Sequence, residues 1–329
     1  MFFVLLHIVF SSFFVLCVRW SQVRKDDVIT IGALNYIVAG VAITAFFLST
    51  EQMPFTANSL MTGTMGGVFY FVAFFFLIIT TSWKGAANTT VVSRLSILVP
   101  VLCGIVFWHE RPSILQAVGI LLACASLTLV ARRAARLEGS KPPPYALLLL
   151  AMFFLMGGCC RLSLEMFKHL CQPNERPTFI LLTFGLSGLA SVVLLALRRR
   201  MPTNREFAAG IALGLANLSQ TYFILTALKS LPGFVVFPMT AAGSLLFTTM
   251  VAMFFLDERL SRLSIAGLTI AVCSLSLLHP VVGPQPGASS SGSAHRALPG
   301  YNEPPIVADP PNVLVTSSNT PTMSPFPAD

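Results

Sequence analysis

The chain has 329 residues, 55% of them hydrophobic and only 10% charged, with a mean hydropathy of +0.77. Soluble domains carry about 25% charged residues, so this composition excludes a water-covered globular fold of this size. The formal net charge of +8 does not point to nucleic acid, because no recognition module or basic-aromatic face accompanies it.

Ten apolar runs approach or exceed the roughly 20 residues that a membrane-crossing helix needs. They cover residues 2–18, 29–49, 57–81, 86–107, 113–131, 145–166, 178–197, 206–228, 233–256 and 262–279. The first run, Phe2 to Val18, has no positive n-region and no small-residue cleavage site, and Arg19, Arg24 and Lys25 follow it. It reads as a retained helix rather than a signal peptide. The breaks carry charge, Pro or Gly: Arg24-Lys25-Asp26-Asp27, Glu51 to Pro54, Trp83-Lys84-Gly85 and His109 to Pro112. Residues 133–144 form a basic, Pro-rich connection, and residues 280–329, rich in Pro, Ser, Gly and Ala, read as a disordered tail. Six cysteines fall in apolar runs and only Cys171 in a loop, which gives neither a disulfide framework nor metal spacing.

An internal repeat organises these runs. Residues 85–130 align without a gap on residues 233–278. Glu110, Arg111, Ser113, Leu115, Gly119, Ala123, Ser126 and Leu127 fall on Glu258, Arg259, Ser261, Leu263, Gly267, Ala271, Ser274 and Leu275. Shared apolar composition produces chance Leu and Ala matches, but it does not place Glu-Arg, Ser and Gly together in register. The fold expected is therefore an all-α membrane protein of ten transmembrane helices. It has two five-helix halves, residues 1–132 and 145–279. An odd number of spans per half makes the second half enter from the opposite face, an inverted repeat.

Basic residues concentrate in the odd-numbered gaps, among them Arg24, Lys25, Arg132, Arg133, Arg198, Arg199 and Arg200. The positive-inside rule places those gaps in the cytoplasm and both termini outside.

The repeated segments resemble the EamA-type repeat of the drug/metabolite transporter superfamily. The residues that carry the likeness are Ser96 to Pro100, Gly104 to Glu110, Arg111, Ser113 and Gly119 in the first half. In the second they are Phe237-Pro238, Ala252 to Glu258, Arg259, Ser261 and Gly267. The resemblance implies ten helices in two inverted halves, a central cavity, alternating access and cytoplasmic termini, the last at odds with the charge tally. It does not imply a substrate, since members move amino acids, sugars, nucleotide-sugars, purines and drugs.

Arg94 is the sharpest candidate substrate-binding residue. It lies about 4 Å from the midpoint of its span at 1.5 Å rise per residue, where an arginine costs at least about 2.5–3.5 kcal/mol. An acidic partner, backbone carbonyls, cavity water or an anionic substrate has to compensate. Its repeat counterpart, Ala242, is uncharged. Asn35 and Tyr36 in the second span, and Asn217, Gln220 and Tyr222 in the eighth, are polar groups that should point away from lipid. They serve either a solute or interhelical hydrogen bonds. Gly63 and Gly67, like Gly210 and Gly214, have the spacing of close helix contacts, and Tyr70 could stack on a substrate. Pro100 and Pro238 interrupt their spans and are candidate kinks or gates.

Glu110 and Glu258 end their spans before an arginine and read as interfacial turn residues, with Ser113 and Gln116 as a capping box. Arg161 and Glu165, four apart, read as a local ion pair. No nucleotide-binding loop, zincin motif or nucleophile elbow occurs. Neither catalytic residues nor a cofactor or metal are expected.

The function expected is a secondary transporter of a small organic solute, anionic or zwitterionic by the argument from Arg94. A coupling proton or other ion is a candidate partner. The competing readings are a membrane-embedded lipid-modifying enzyme, which would need the clustered acid-base groups that the scattered His7, His109, His169, His279 and His295 do not supply, and a non-transporting scaffold. The location expected is the plasma membrane of a bacterium or, in a eukaryote, an endomembrane.

Overall fold

Apolar runs without interior breakers favour helix wherever lipid denies the backbone any other hydrogen-bond partner. The computed structural model, which describes residues 1–49, 54–135, 145–256 and 262–278, accordingly contains helices and no strand among those residues. The helices are α1 (Phe2–Val23), α2 (Val28–Leu48), α3 (Ala57–Leu95), α4 (Leu98–Phe107), α5 (Ile114–Ala135), α6 (Ala146–Leu170), α7 (Arg176–Arg198), α8 (Asn204–Leu228), α9 (Gly233–Leu256) and α10 (Arg262–Leu278), with a 3-10 turn at Pro173–Glu175 before α7. Seven of them are long and apolar enough to cross a membrane, and 92–107, 114–127 and 265–278 are shorter apolar segments. Leu5, Val41, Leu121, Leu189 and Val193 are exposed on the outside, the arrangement a lipid-facing surface requires. The tail at 280–329, most of the basic connection and Glu258 lie outside the described residues.

One boundary differs from the sequence expectation. The helix does not break at Trp83-Lys84-Gly85; α3 runs on to Leu95. A single helical glycine costs only about 1 kcal/mol. The break falls at Ser96-Ile97, four and three residues before Pro100, because a proline ring collides with the carbonyl four residues earlier. Pro100 is thus a first-turn residue of α4, where no helical N–H is lost. Pro238, by contrast, lies inside α9.

Caps follow the sequence closely. Ser113 and Gln116 bond reciprocally before α5, at 2.9 and 3.3 Å, and Thr56 with Ser59 and Thr203 with Glu206 do the same before α3 and α8.

Packing is set by small residues. On α3, a Cβ at Gly67 would come 2.9 Å from the Leu182 carbonyl oxygen of α7. Thr183 and Ser187 hydroxyls donate to the Gly63 and Gly67 carbonyls at 3.3 and 2.9 Å. Gly210 and Gly214 admit Leu34 and Val38 of α2 in the same way. At the crossing of α2 and α7, a Cβ at Gly40 would lie 2.8 Å from the Phe184 carbonyl oxygen, and one at Gly188 would lie 2.9 Å from that of Tyr36. Helix α9 is the most enclosed: it touches α1, α4, α5, α8 and α10, and Val235, Val236, Phe237 and Ala242 are buried along it.

One end of the bundle carries a charged network outside the spans. Asp27 accepts from Arg198 at 2.6 Å and pairs with Arg200 at 2.8 Å. Arg200 also pairs with Glu206 at 2.8 Å.

Candidate functional site

The break between α3 and α4 delivers the interior cationic groups. Arg94 occupies the last turn of α3, and its Nη1 donates to the Ala241 carbonyl of α9 at 3.1 Å. Two residues on, the Ser96 hydroxyl accepts Nη1 of Arg161 at 2.8 Å and donates to the Ser93 carbonyl at 2.6 Å. Arg161 also donates to the Gly157 carbonyl one turn earlier on α6, at 2.9 Å. The two guanidiniums are close enough to repel each other. A glycine at 157 leaves room for this arrangement, since a Cβ there would sit 3.1 Å from the Ser96 hydroxyl.

Polar groups from four helices, α1, α2, α3 and α8, lie nearby. His7 of α1 donates through Nδ1 to the Gln220 carbonyl at 2.8 Å and lies within the field of Arg161. Gln220 donates to the Asn217 amide oxygen at 2.8 Å. The Tyr36 hydroxyl donates to the Tyr70 carbonyl at 3.3 Å, and the Tyr70 ring packs edge-on against Phe184, 5.9 Å between centroids. Asn35 is buried with an amide oxygen that no donor meets. The structure thus brings Arg94, Tyr70 and Arg161 into one charged neighbourhood, with Tyr36, Asn217 and Gln220 connected to it by the hydrogen bonds above.

Tyr222 is not part of that neighbourhood. It is 46% exposed, its ring lies 5.0 Å under the Arg176 guanidinium, and it lines a 350 Å³ outer groove with Ala42, Ile43, Pro177 and Leu218. Pro100 is buried in the first turn of α4, and Pro238 is buried within α9, three residues before Ala241.

Arg161 and Glu165 do not form the local ion pair expected. Arg161 reaches toward Ser96, while Glu165 points the other way into a second cluster. There Lys168 Nζ bridges Glu110 Oε1 at 2.7 Å and Glu165 Oε1 at 2.9 Å. His169 Nε2 lies 3.2 Å from Glu165 Oε1, and its ring stacks on Trp108, 4.6 Å away. Glu110 arrives there through a tight turn, with His109 at φ 52° and its own N–H bonded to the Gly104 carbonyl at 3.1 Å. Its side chain is therefore tertiary, not merely interfacial. Glu110, Glu165 and His169 could offer three ligand atoms within 4.8 Å of one another. The ammonium of Lys168 already occupies the space between the carboxylates, which disfavours a second cation there.

The sequence reading had Arg161 as the local partner of Glu165 near the end of its span and placed neither His7 nor Ser96 in a site.

Three comparisons bear on this arrangement. Residues 1–132 match the EamA-like transporter family. An uncharacterized protein of Haemophilus influenzae is 22% identical over 276 residues, covering 78% of this chain and 90% of that protein. A solved crystal structure shares the fold with a TM-score of 0.65 at 18% identity, over 84% of this chain and 95% of the other. That match over residues 1–132 and the seven helices long and apolar enough to cross a bilayer make this an integral, multi-pass membrane protein.

Proposed function

We propose that this protein is a secondary transporter that moves a small organic anion or zwitterion by alternating access, with residues 1–132 and 145–279 rocking about a site between them. The observation that carries the reading is that an arginine from each half, Arg94 and Arg161, is held beside the α3–α4 break. Arg94 and Arg161 feel each other's charge, and both are satisfied only by carbonyls and a serine hydroxyl among their described hydrogen bonds. Two interior cations cost both desolvation and mutual repulsion. A carboxylate or phosphate placed between them relieves both. Tyr70, Asn217 and Gln220 supply orientation around that charge.

Support for inverted halves comes from the α2–α7 crossing. The register that aligns residue 85 with 233 also aligns Tyr36 with Phe184 and Gly40 with Gly188. Gly40 meets the Phe184 carbonyl and Gly188 meets the Tyr36 carbonyl, so exchanging the halves maps one contact onto the other. Moving up α2 means moving down α7. A two-fold axis perpendicular to both helices has this effect, and an axis in the membrane plane relates inverted repeats. Helix neighbours follow the same exchange: α1 on α8 answers α6 on α3, and α1 on α9 answers α6 on α4. Ser96 meets α6 through Arg161, and its counterpart Ser244 meets α1 through Ser11 at 3.4 Å.

The test is counterflow in proteoliposomes across anionic, zwitterionic, cationic and neutral metabolites. Saturable exchange of an anion or zwitterion, lost in Arg94→Ala and in Arg161→Ala, is the expected result. Exchange confined to cations or neutral solutes, or unchanged in both variants, would overturn the reading.

A further inference from the structure

The second cluster has an unbalanced charge. Glu110, from the turn after α4, and Glu165, from α6, share one ammonium, that of Lys168. With both carboxyls ionised and His169 neutral, the group carries one net negative charge. It is also enclosed: the Glu165 side chain has no exposure and that of Glu110 only 10%. Each carboxyl spends Oε1 on Lys168, and each leaves a buried Oε2 that no donor meets. Carboxyl oxygens of the two residues lie within 4.8 Å of each other. Lys168 neutralises only one of the two carboxylates, so in this enclosure a proton on the pair is what removes the remaining negative charge.

The surroundings fix the pair in place. Helix α9 begins against it: the Gly233 N–H points at Glu110 Oε1 from 3.5 Å, and a Cβ on Gly233 would overlap the Glu165 carboxyl. The charged and titratable groups facing Glu165 are Lys168 and His169 from α6 and Glu110 from the α4–α5 turn. Helix α9 contributes its first backbone amide. The cluster therefore ties an element of the first half, the end of α4, to two elements of the second, α6 and α9.

We propose that Glu110 and Glu165 form a proton-binding site in which one shared proton holds this end of the bundle closed, and whose release lets α4 and α9 separate as the end opens. The coupling rests on the transporter reading above; the proton site itself does not. The step is balanced: the pair takes one proton from water at the closed-end face, loses its net charge, and returns the proton to water when the end is hydrated. With one carboxylate already neutralised by Lys168, the second ionises only when water enters.

The experiment has two arms. Infrared spectra of the full chain in lipid nanodiscs are recorded across the neutral pH range. The expected result is a carboxylic-acid carbonyl band in the wild type that titrates as one proton and vanishes in Glu165→Gln. Glu110→Gln serves as a second variant in case the first does not insert. His169→Gln should keep the band. No band at neutral pH, or a band that survives both glutamate variants, would overturn the proton site. In the second arm, proteoliposomes are assayed for exchange and for accumulation driven by a pH gradient. The wild type should do both, while Glu165→Gln should exchange but not accumulate. Wild-type exchange that ignores the gradient would overturn the coupling while leaving the transporter reading intact. Absence of any exchange would overturn the transporter reading and the coupling together, with the infrared band still deciding the proton site.

Discussion

Gly188 of α7 lies against the Tyr36 carbonyl of α2 so closely that a Cβ there would stand 2.9 Å from the oxygen. Real Cβ atoms almost never come this near to backbone, and neither helix has a flexible end to yield at this point. The crossing therefore depends on two glycines, Gly40 and Gly188, that face each other's helices.

Gly188→Ala and Gly40→Ala should each destabilise the protein by about 1–3 kcal/mol, the range for overpacking a tight contact. Because each added Cβ would meet a carbonyl oxygen at nearly the same distance, 2.8 and 2.9 Å, their effects should be similar. Thermal unfolding in detergent checks this: a melting temperature unchanged in either variant would contradict the crossing.

Ser187 should matter much less. Its hydroxyl donates to the Gly67 carbonyl at 2.9 Å and to Thr183 on its own helix at 2.7 Å. Interhelical hydrogen bonds in membranes average about 0.6 kcal/mol. Ser187→Ala should thus lower stability slightly, and Gly67→Leu on the same interface should lower it far more.

Arg161→Lys should behave nearly as badly as Arg161→Ala in counterflow. The guanidinium reaches the Ser96 hydroxyl and the Gly157 carbonyl together, and a lysine cannot reproduce a planar fork. Losing one charge-assisted hydrogen bond, worth about 1.5–3 kcal/mol, predicts at least about a tenfold drop in exchange. Full exchange by the lysine variant would show that only charge is needed.

Acid should weaken the charged network at the α1–α2 turn. Partial burial alone would raise the Asp27 carboxyl, but the Thr30 hydroxyl and the Arg198 and Arg200 guanidiniums hold it below the usual carboxylate range. A carboxyl depressed in the folded state stabilises above its unfolded value, about 3.9, and loses that contribution as pH falls through the folded value. Asp27→Asn should therefore melt earlier than the wild type at neutral pH, and the two curves should converge below about pH 4.

The helices were legible because lipid makes run length informative. The runs 29–49, 206–228 and 233–256 appear in the structure as Val28–Leu48, Asn204–Leu228 and Gly233–Leu256. The α3–α4 boundary was not, because Trp83-Lys84-Gly85 looks like a break in composition, whereas the collision of the Pro100 ring with the Ser96 carbonyl is a matter of geometry. Arg94 was legible as a charge in an apolar run. Arg161 was obscured by Glu165 at helical spacing, since its actual partner, Ser96, lies 65 residues away. The exposure of Tyr222 could have been anticipated. Five residues from Asn217 is a rotation of about 140° around the helix at 3.6 residues per turn, which turns the ring outward.

Helix α9 stands among α1, α4, α5, α8 and α10 with nearly all its first half buried. During synthesis it is the ninth segment to leave the ribosome, after most of the helices that surround it. Until α9 has been made, Arg94 has no Ala241 carbonyl to meet, and α1, α4, α5 and α8 lack the one helix that all four touch. A truncation ahead of α9 leaves the Arg94 guanidinium without that carbonyl and α1, α4, α5 and α8 without their shared neighbour.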